Sequence, residues 1–144
     1  MLDFVTTFFA TAVRCAMPMF IAALGLVYSE RAGIVNIGVE GMMLIGAVLA
    51  YVGSYTTGSK WVGLLWAAAG GTAFGLILAF WTISLRVNQT VVGAALNILG
   101  AGLATTINRM IFDINAIAPK INSFTAVRIP VLSKIPVIGP MLFS

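Results

Sequence analysis

Residues 33 to 43 run Gly-Ile-Val-Asn-Ile-Gly-Val-Glu-Gly-Met-Met, which sets an amide and a carboxylate inside an otherwise apolar stretch. Asn36 and Glu40 are four positions apart, a spacing that places both on one face of a helix, and Gly33, Gly38 and Gly41 punctuate the same stretch. The chemistry available to such a pair is hydrogen bonding. The amide gives and takes, the carboxylate takes, and either suits the polar groups of a neighbouring helix or a wet cavity. A carboxylate at the centre of a bilayer costs about 2.5–3.5 kcal/mol on insertion scales, and irregular backbone exposed to lipid is not tolerated. The stretch is therefore expected to face protein or a wet cavity.

Other chemistries are excluded by what the chain lacks. There is no histidine and a single cysteine, Cys15, so neither a Ser/His/Asp nor a Cys/His arrangement can form, and the usual zinc ligand sets are out of reach. Asp3, Glu30, Glu40 and Asp113 are the only acids, and three of them fall near the ends of apolar segments, which argues against a paired-carboxylate site. No Gly-x-x-x-x-Gly-Lys-Ser/Thr phosphate loop occurs, so ATP is not hydrolysed by that route. The chain is read as a non-enzyme with no cofactor and no metal of its own. Met42 and Met43 are read as packing groups rather than ligands.

The elements that must position these residues are transmembrane. Of 144 residues, 60% are hydrophobic and 8% charged, with a mean hydropathy of +1.07, against about 25% charged in a soluble domain. The fold class is all-α, a polytopic transmembrane helical bundle. With about 20 apolar residues per crossing, four spans are expected at 4–29, 33–56, 62–85 and 90–112, with a possible broken helix at 33–43. The short breaks between them make neighbours antiparallel. Tyr51, Tyr55, Trp61 and Trp66 bracket the second break, where interfacial aromatics belong. Arg14 and Pro18 make the first span irregular: either one kinked span with a snorkelling arginine, or an interfacial helix and a short span. The net charge of +4 is scattered singly, with no basic cluster for a nucleic acid.

Two further patterns stand out. Ala67, Gly71, Gly75 and Ala79 form a ridge of small residues on the third span, suited to close helix packing, within the chain more readily than at a dimer seam. Gln89, Gly93, Asn97, Ala101, Thr105 and Arg109 recur every four positions on the fourth, read as one polar and small face lining a conduit or bonded to another helix. Beyond residue 112 come four of the five prolines, Pro119, Pro130, Pro136 and Pro140, with Lys120, Arg128 and Lys134 between them. Residues 113–144 are read as an extramembrane or partly re-entrant connection, and the apolar ending suggests a truncated chain.

The run Ser29-Glu30-Arg31-Ala32-Gly33-Ile34-Val35-Asn36-Ile37-Gly38-Val39-Glu40-Gly41-Met42-Met43, followed by Val87-Asn88-Gln89-Thr90-Val91-Val92-Gly93 with Asn97, resembles permease subunits of ATP-binding cassette (ABC) importers for nucleosides and simple sugars. The prolines from Pro130 to Pro140 are similar to the family's connection after that span. The resemblance implies a chain about twice this long in a bacterial or archaeal plasma membrane. It implies ABC ATPase subunits carrying ATP and Mg, a second permease subunit, identical or paralogous, and an external substrate-binding protein or lipoprotein. It places the turns at Glu30-Arg31 and Arg86 in the cytoplasm, although a positive-inside count that includes Arg109, Lys120, Arg128 and Lys134 favours the reverse.

On this resemblance, residues 33–43 form a bent or partly unwound helix start beside the translocation path, with Gly38 and Gly41 permitting the bend. Asn36 and Glu40 either hold the break open along the path or lock helix packing, and Gly93 and Asn97 carry the same two readings. Glu30 and Arg31 form a solvated turn or an ATPase contact. A branched-chain amino-acid permease is the nearest alternative, and the Glu-Gly-Met-Met run favours the nucleoside and sugar group. A secondary carrier or a non-transporting scaffold is the remaining class; a carrier should show inverted repeats and ion-coupling groups, and neither is found.

Overall fold

The computed structural model describes residues 2–112, 119 and 121. Among them, helix α1 (Leu2–Arg31) runs unbroken through Pro18 for 30 residues, so an interfacial helix followed by a separate short span is not what forms. Helix α2 spans Val39–Thr57, and helix α3 spans Lys60–Ala79 and continues as a π turn over Phe80–Ser84. Helix α4 spans Gln89–Ile111. The described residues contain no strand, and all four helices are long and apolar enough to cross a membrane. The chain divides into two compact units at Gly25/Leu26. The unit from Leu26 onward holds α2, α3 and α4 and is the one described below.

Within it α2 is the central helix, packed most extensively on α3, then on α4, while α3 and α4 touch little. Ile45, Phe74, Leu78, Val92, Leu96 and Ala104 form the buried cluster where the three meet. In lipid there is no hydrophobic gain from joining two apolar helices, so close backbone approach has to supply the packing. The α2–α3 seam does this with glycines. A Cβ added at Gly53 would lie 3.0 Å from Trp66 Cγ and 3.2 Å from Gly63 Cα. One added at Gly63 would run into Ser54 Oγ and the Ala50 carbonyl.

The seam on α3 is therefore Gly63, Gly70, Phe74 and Leu78, which corrects the expected packing ridge. Ala67, Gly71, Gly75 and Ala79 lie half-buried on its flank, and a Cβ at Gly71 or Gly75 would meet nothing within 4 Å. The reason is the side-chain volume available. Phe74 and Leu78 fill the space beside α2, which glycines at 71 and 75 would leave empty.

The connections close by local hydrogen bonding. Gly58 adopts φ 68°, the left-handed conformation that ends a helix, and its N–H donates to the Ser54 carbonyl at 2.9 Å. After the π turn, where the buried Thr82 hydroxyl donates to the Leu78 carbonyl at 2.7 Å, Arg86 takes φ 52°. Asn88 then caps α4, its Oδ1 accepting from the Thr90 N–H at 2.9 Å. Phe112 closes the other end, edge-on to Tyr51 and Tyr55 at centroid distances of 4.9 and 5.2 Å. The Tyr51 hydroxyl donates to the Pro119 carbonyl at 2.6 Å.

This seam predicts opposite outcomes for two neighbouring glycines. Gly63→Ala should destabilise the protein by about 1–3 kcal/mol, the usual range for overpacking, whereas Gly71→Ala should leave α2–α3 packing intact. Thermal unfolding of the two variants in detergent, with cysteine cross-linking across the seam, measures the difference.

Candidate functional site

The polypeptide leaves α1 at a left-handed glycine. Gly33 has φ 82°, its N–H donating to the Glu30 carbonyl at 2.9 Å. The Ile34 N–H donates to the Ser29 carbonyl at 3.0 Å, and the Ser29 hydroxyl donates back to the Ile34 carbonyl at 2.8 Å. From there to Gly38, the residue that caps α2, the backbone is not helical. Its polar groups need partners from outside the segment.

Helix α4 supplies them. The Gln89 side chain accepts from the Val35 N–H at 2.6 Å and donates to the Gly33 carbonyl at 3.2 Å. Two helical turns further on, Asn97 accepts from the Gly41 N–H at 2.8 Å and donates to the Ile37 carbonyl at 3.0 Å. The Gly41 N–H is one of the four donors that every helix leaves unpaired at its start, so α2 is capped here by a residue of another helix.

Such short bonds require the backbones to come close, and four glycines allow it. A Cβ at Gly93 would lie 2.9 Å from the Gly38 nitrogen and 3.1 Å from Ile37 Cβ. One at Gly100 would lie 2.6 Å from Gly41 Cα, and one at Gly41 would strike the Leu96 carbonyl and approach Asn97 Cα at 2.9 Å. The expectation that Gly38 and Gly41 permit a bend is corrected accordingly. Gly38 has φ −79°, open to any residue, and Gly41 is inside a regular helix, so both serve close approach while the turn is made at Gly33.

The one-face reading of Asn36 and Glu40 is also corrected. Asn36 lies in the non-helical stretch, and only Glu40 is helical, in the first turn of α2. The helical spacing rule therefore does not relate them. Asn36 is half-buried, its Nδ2 donating weakly to Met42 Sδ at 3.5 Å; its Oδ1 is buried with no hydrogen-bond partner among the described residues. Glu40 is exposed at a helix start, where the peptide dipoles favour a negative charge. Met42 packs against the core cluster. Glu30 and Arg31 end α1, both exposed.

The polar stripe of α4 does not stay on one face. At 3.6 residues per turn, each step of four advances about 40° around the helix. Gln89, Gly93 and Asn97 meet the segment before α2, but by Ala101, Thr105 and Arg109 the stripe has turned outward and is exposed. The Thr105 hydroxyl there donates to the Ala101 carbonyl of its own helix at 2.8 Å. The buried line continues instead through Leu96, Gly100 and Ala104. Gln89 is the residue whose role sequence reasoning missed; its place in the stripe was visible, its partners 54 and 56 residues away were not.

The arrangement offers amides, a carboxylate and backbone groups, all of them able to hydrogen-bond. Among the described residues no three His, Cys, Asp or Glu side chains gather as a metal site. A cleft of about 450 Å³, lined by Ile77, Trp81, Val91, Ala95 and Leu99 among others, has an almost wholly apolar wall. Gly41→Ala and Gly100→Ala should each push α4 away from α2 and destabilise by about 1–3 kcal/mol. A Gly102→Ala control, facing open space, should stay near wild type in the same detergent unfolding assay.

Comparison with known proteins agrees with this picture. Residues 8–135 match the family described as branched-chain amino acid transport system / permease component. The guanosine ABC transporter permease protein NupQ of Bacillus subtilis is 42% identical over 142 residues, covering 94% of this chain and 44% of that protein. The nucleoside ABC transporter permease protein NupC of Lactococcus lactis is 34% identical, over 88% of this chain and 42% of its own length. "Putative glucose ABC transporter permease protein TsgC13" of Haloferax volcanii is 36% identical, over 91% and 40%. The chain thus spans less than half the length of these relatives, and no solved structure matches it. With nearly its whole length matched, four membrane-crossing helices and a glycine-lined polar seam, the chain belongs to the branched-chain amino acid transport system permease component family.

Proposed function

We propose that the chain forms part of the membrane-spanning subunit of an ABC importer and contributes to the path taken by a nucleoside or simple sugar. The observation that carries this reading is the non-helical stretch before α2, fixed by side-chain amides within the span of α4. Irregular backbone at membrane depth is found where it is buried in protein or lines a cavity, and polyhydroxylated solutes are recognised by amides and carboxylates of the kind present at Asn36 and Glu40. Relatives named for guanosine, nucleosides and glucose support the same substrate classes. The branched-chain amino-acid reading is kept as the alternative because the family's description names that solute.

In this proposal ATP and Mg belong to separate ATPase subunits, a second permease subunit completes the path, and an external binding protein delivers the solute. The start of α2 lies beside the start of α4, since Gly38 meets Gly93. The turns holding Arg31 and Arg86 therefore lie at the same end of the bundle, assigned here to the cytoplasm. Arg31 and Glu30 are exposed at that end, in position to meet an ATPase.

Uptake of labelled guanosine, ribose and leucine by cells expressing the intact permease with its partner subunits tests the reading. Nucleoside or sugar uptake is expected, with Glu40→Gln lowering it several-fold while subunit assembly stays normal. Loss of assembly would assign Glu40 to packing, and uptake of leucine alone would establish the alternative. Arg31→Glu should lower transport-coupled ATP hydrolysis; wild-type coupling would remove the ATPase contact from the proposal.

A further inference from the structure

Gln89 and Asn97 make the same contact twice. Each carboxamide accepts from one backbone N–H and donates to one backbone carbonyl of a single continuous stretch, Gln89 at Val35 and Gly33, Asn97 at Gly41 and Ile37. A carboxamide does this from two separate atoms, its oxygen accepting and its nitrogen donating. A carboxylate has no hydrogen to give, and an ammonium has no lone pair to receive one. The two amides are eight residues apart on α4, about 12 Å along its axis at about 1.5 Å per residue, and they grip the stretch near its two ends. Between them Gly93 lets the Gly38 backbone seat directly on α4. Asn36 and Glu40 lie within the clamped stretch, neither of them held by α4 itself.

We propose that Gln89, together with Asn97, is a positioning residue for translocation. The pair splints residues 33–41 to the first turns of α4, so that this stretch, the start of α2 and α4 move through the transport cycle as one body. The proposal rests on the importer reading. Its physical basis is the pairing itself: releasing the stretch would break four hydrogen bonds to its backbone at once. Rearrangement is thereby directed to other surfaces of the bundle, and Asn36 and Glu40 keep a fixed place relative to α4.

Hydrogen–deuterium exchange on the intact permease, assembled with its ATPase and binding protein, tests the splint. Gln89→Met keeps the length of the side chain and removes both bonds. Gln89→Glu keeps the acceptor for Val35 and adds a charge that a helix start favours. Exchange at Val35 should rise roughly three- to tenfold in Gln89→Met and stay closer to wild type in Gln89→Glu. Asn97→Leu should produce the same rise at Gly41, and peptides covering residues 45–66 should not change in any variant. In transport, Gln89→Met should lower the maximal rate several-fold with half-saturation by the loaded binding protein unchanged.

Unaltered exchange at Val35 in Gln89→Met overturns the splint, and so does loosened Val35 with a wild-type maximal rate. Faster exchange across residues 45–66 as well would reduce Gln89 to a general stabiliser and also overturns it. A wild-type complex that moves neither nucleoside nor sugar, while the variants exchange as described, instead overturns the importer reading, so the two failures are told apart.

Discussion

A backbone N–H or C=O taken out of water must find a partner inside the protein, and the seven residues between α1 and α2 do not pair theirs as a helix does. This one requirement organises the described structure. A non-helical stretch has to lie against an element carrying side chains that both donate and accept, at a distance short enough for hydrogen bonds of about 2.9 Å. Helix α4 meets the requirement with two carboxamides. α2 therefore begins beside α4, and α3, joined to α2 by the tight Gly58 turn, is left to pack on α2's other side.

The glycines follow from the same requirement. An asparagine side chain is short, and Asn97 reaches the Gly41 N–H only if no Cβ stands between α2 and the main chain of α4. Gly93, Gly100, Gly38 and Gly41 clear that space together, and the three inside helices, Gly93, Gly100 and Gly41, each cost about 0.5–1 kcal/mol against alanine. The α2–α3 seam uses glycines for a different end. There the space is taken by Trp66, Leu49 and Phe74, and the close approach serves apolar packing. One seam is dry and the other polar, built from the same small residue.

The four spans were legible in the sequence because length and hydropathy are one-dimensional properties: 62–85 and 90–112 fall within a few residues of the observed helices. The non-helical segment was legible as a place, since glycines flanking an amide and a carboxylate in an apolar run announce something other than a plain helix. Its internal geometry was not. The spacing of Asn36 and Glu40 has meaning only if residues 36–40 are helical, and what prevents that is a set of partners more than 50 residues away in the chain. The ridge on α3 failed for a related reason. Period-four small residues mark where a helix could be approached, and bulk from Phe74 and Leu78 decided where it was. Residues 113–144, read as a proline-rich connection, lie outside the described residues save for 119 and 121.

The two seams respond differently to motion. Sliding α3 along α2 requires glycine-fitted side chains such as Trp66 to climb out of contact. Separating α2 from α4 exposes two backbone donors and two backbone acceptors, together with both amides that served them. In water such groups would be re-paired at small net cost, because solvent replaces most of what is lost. In a bilayer the replacement exists only if a solute or another protein surface brings it. The polar seam therefore parts at a cost that only a hydrogen-bonding partner offsets, whereas an apolar seam parts without needing one.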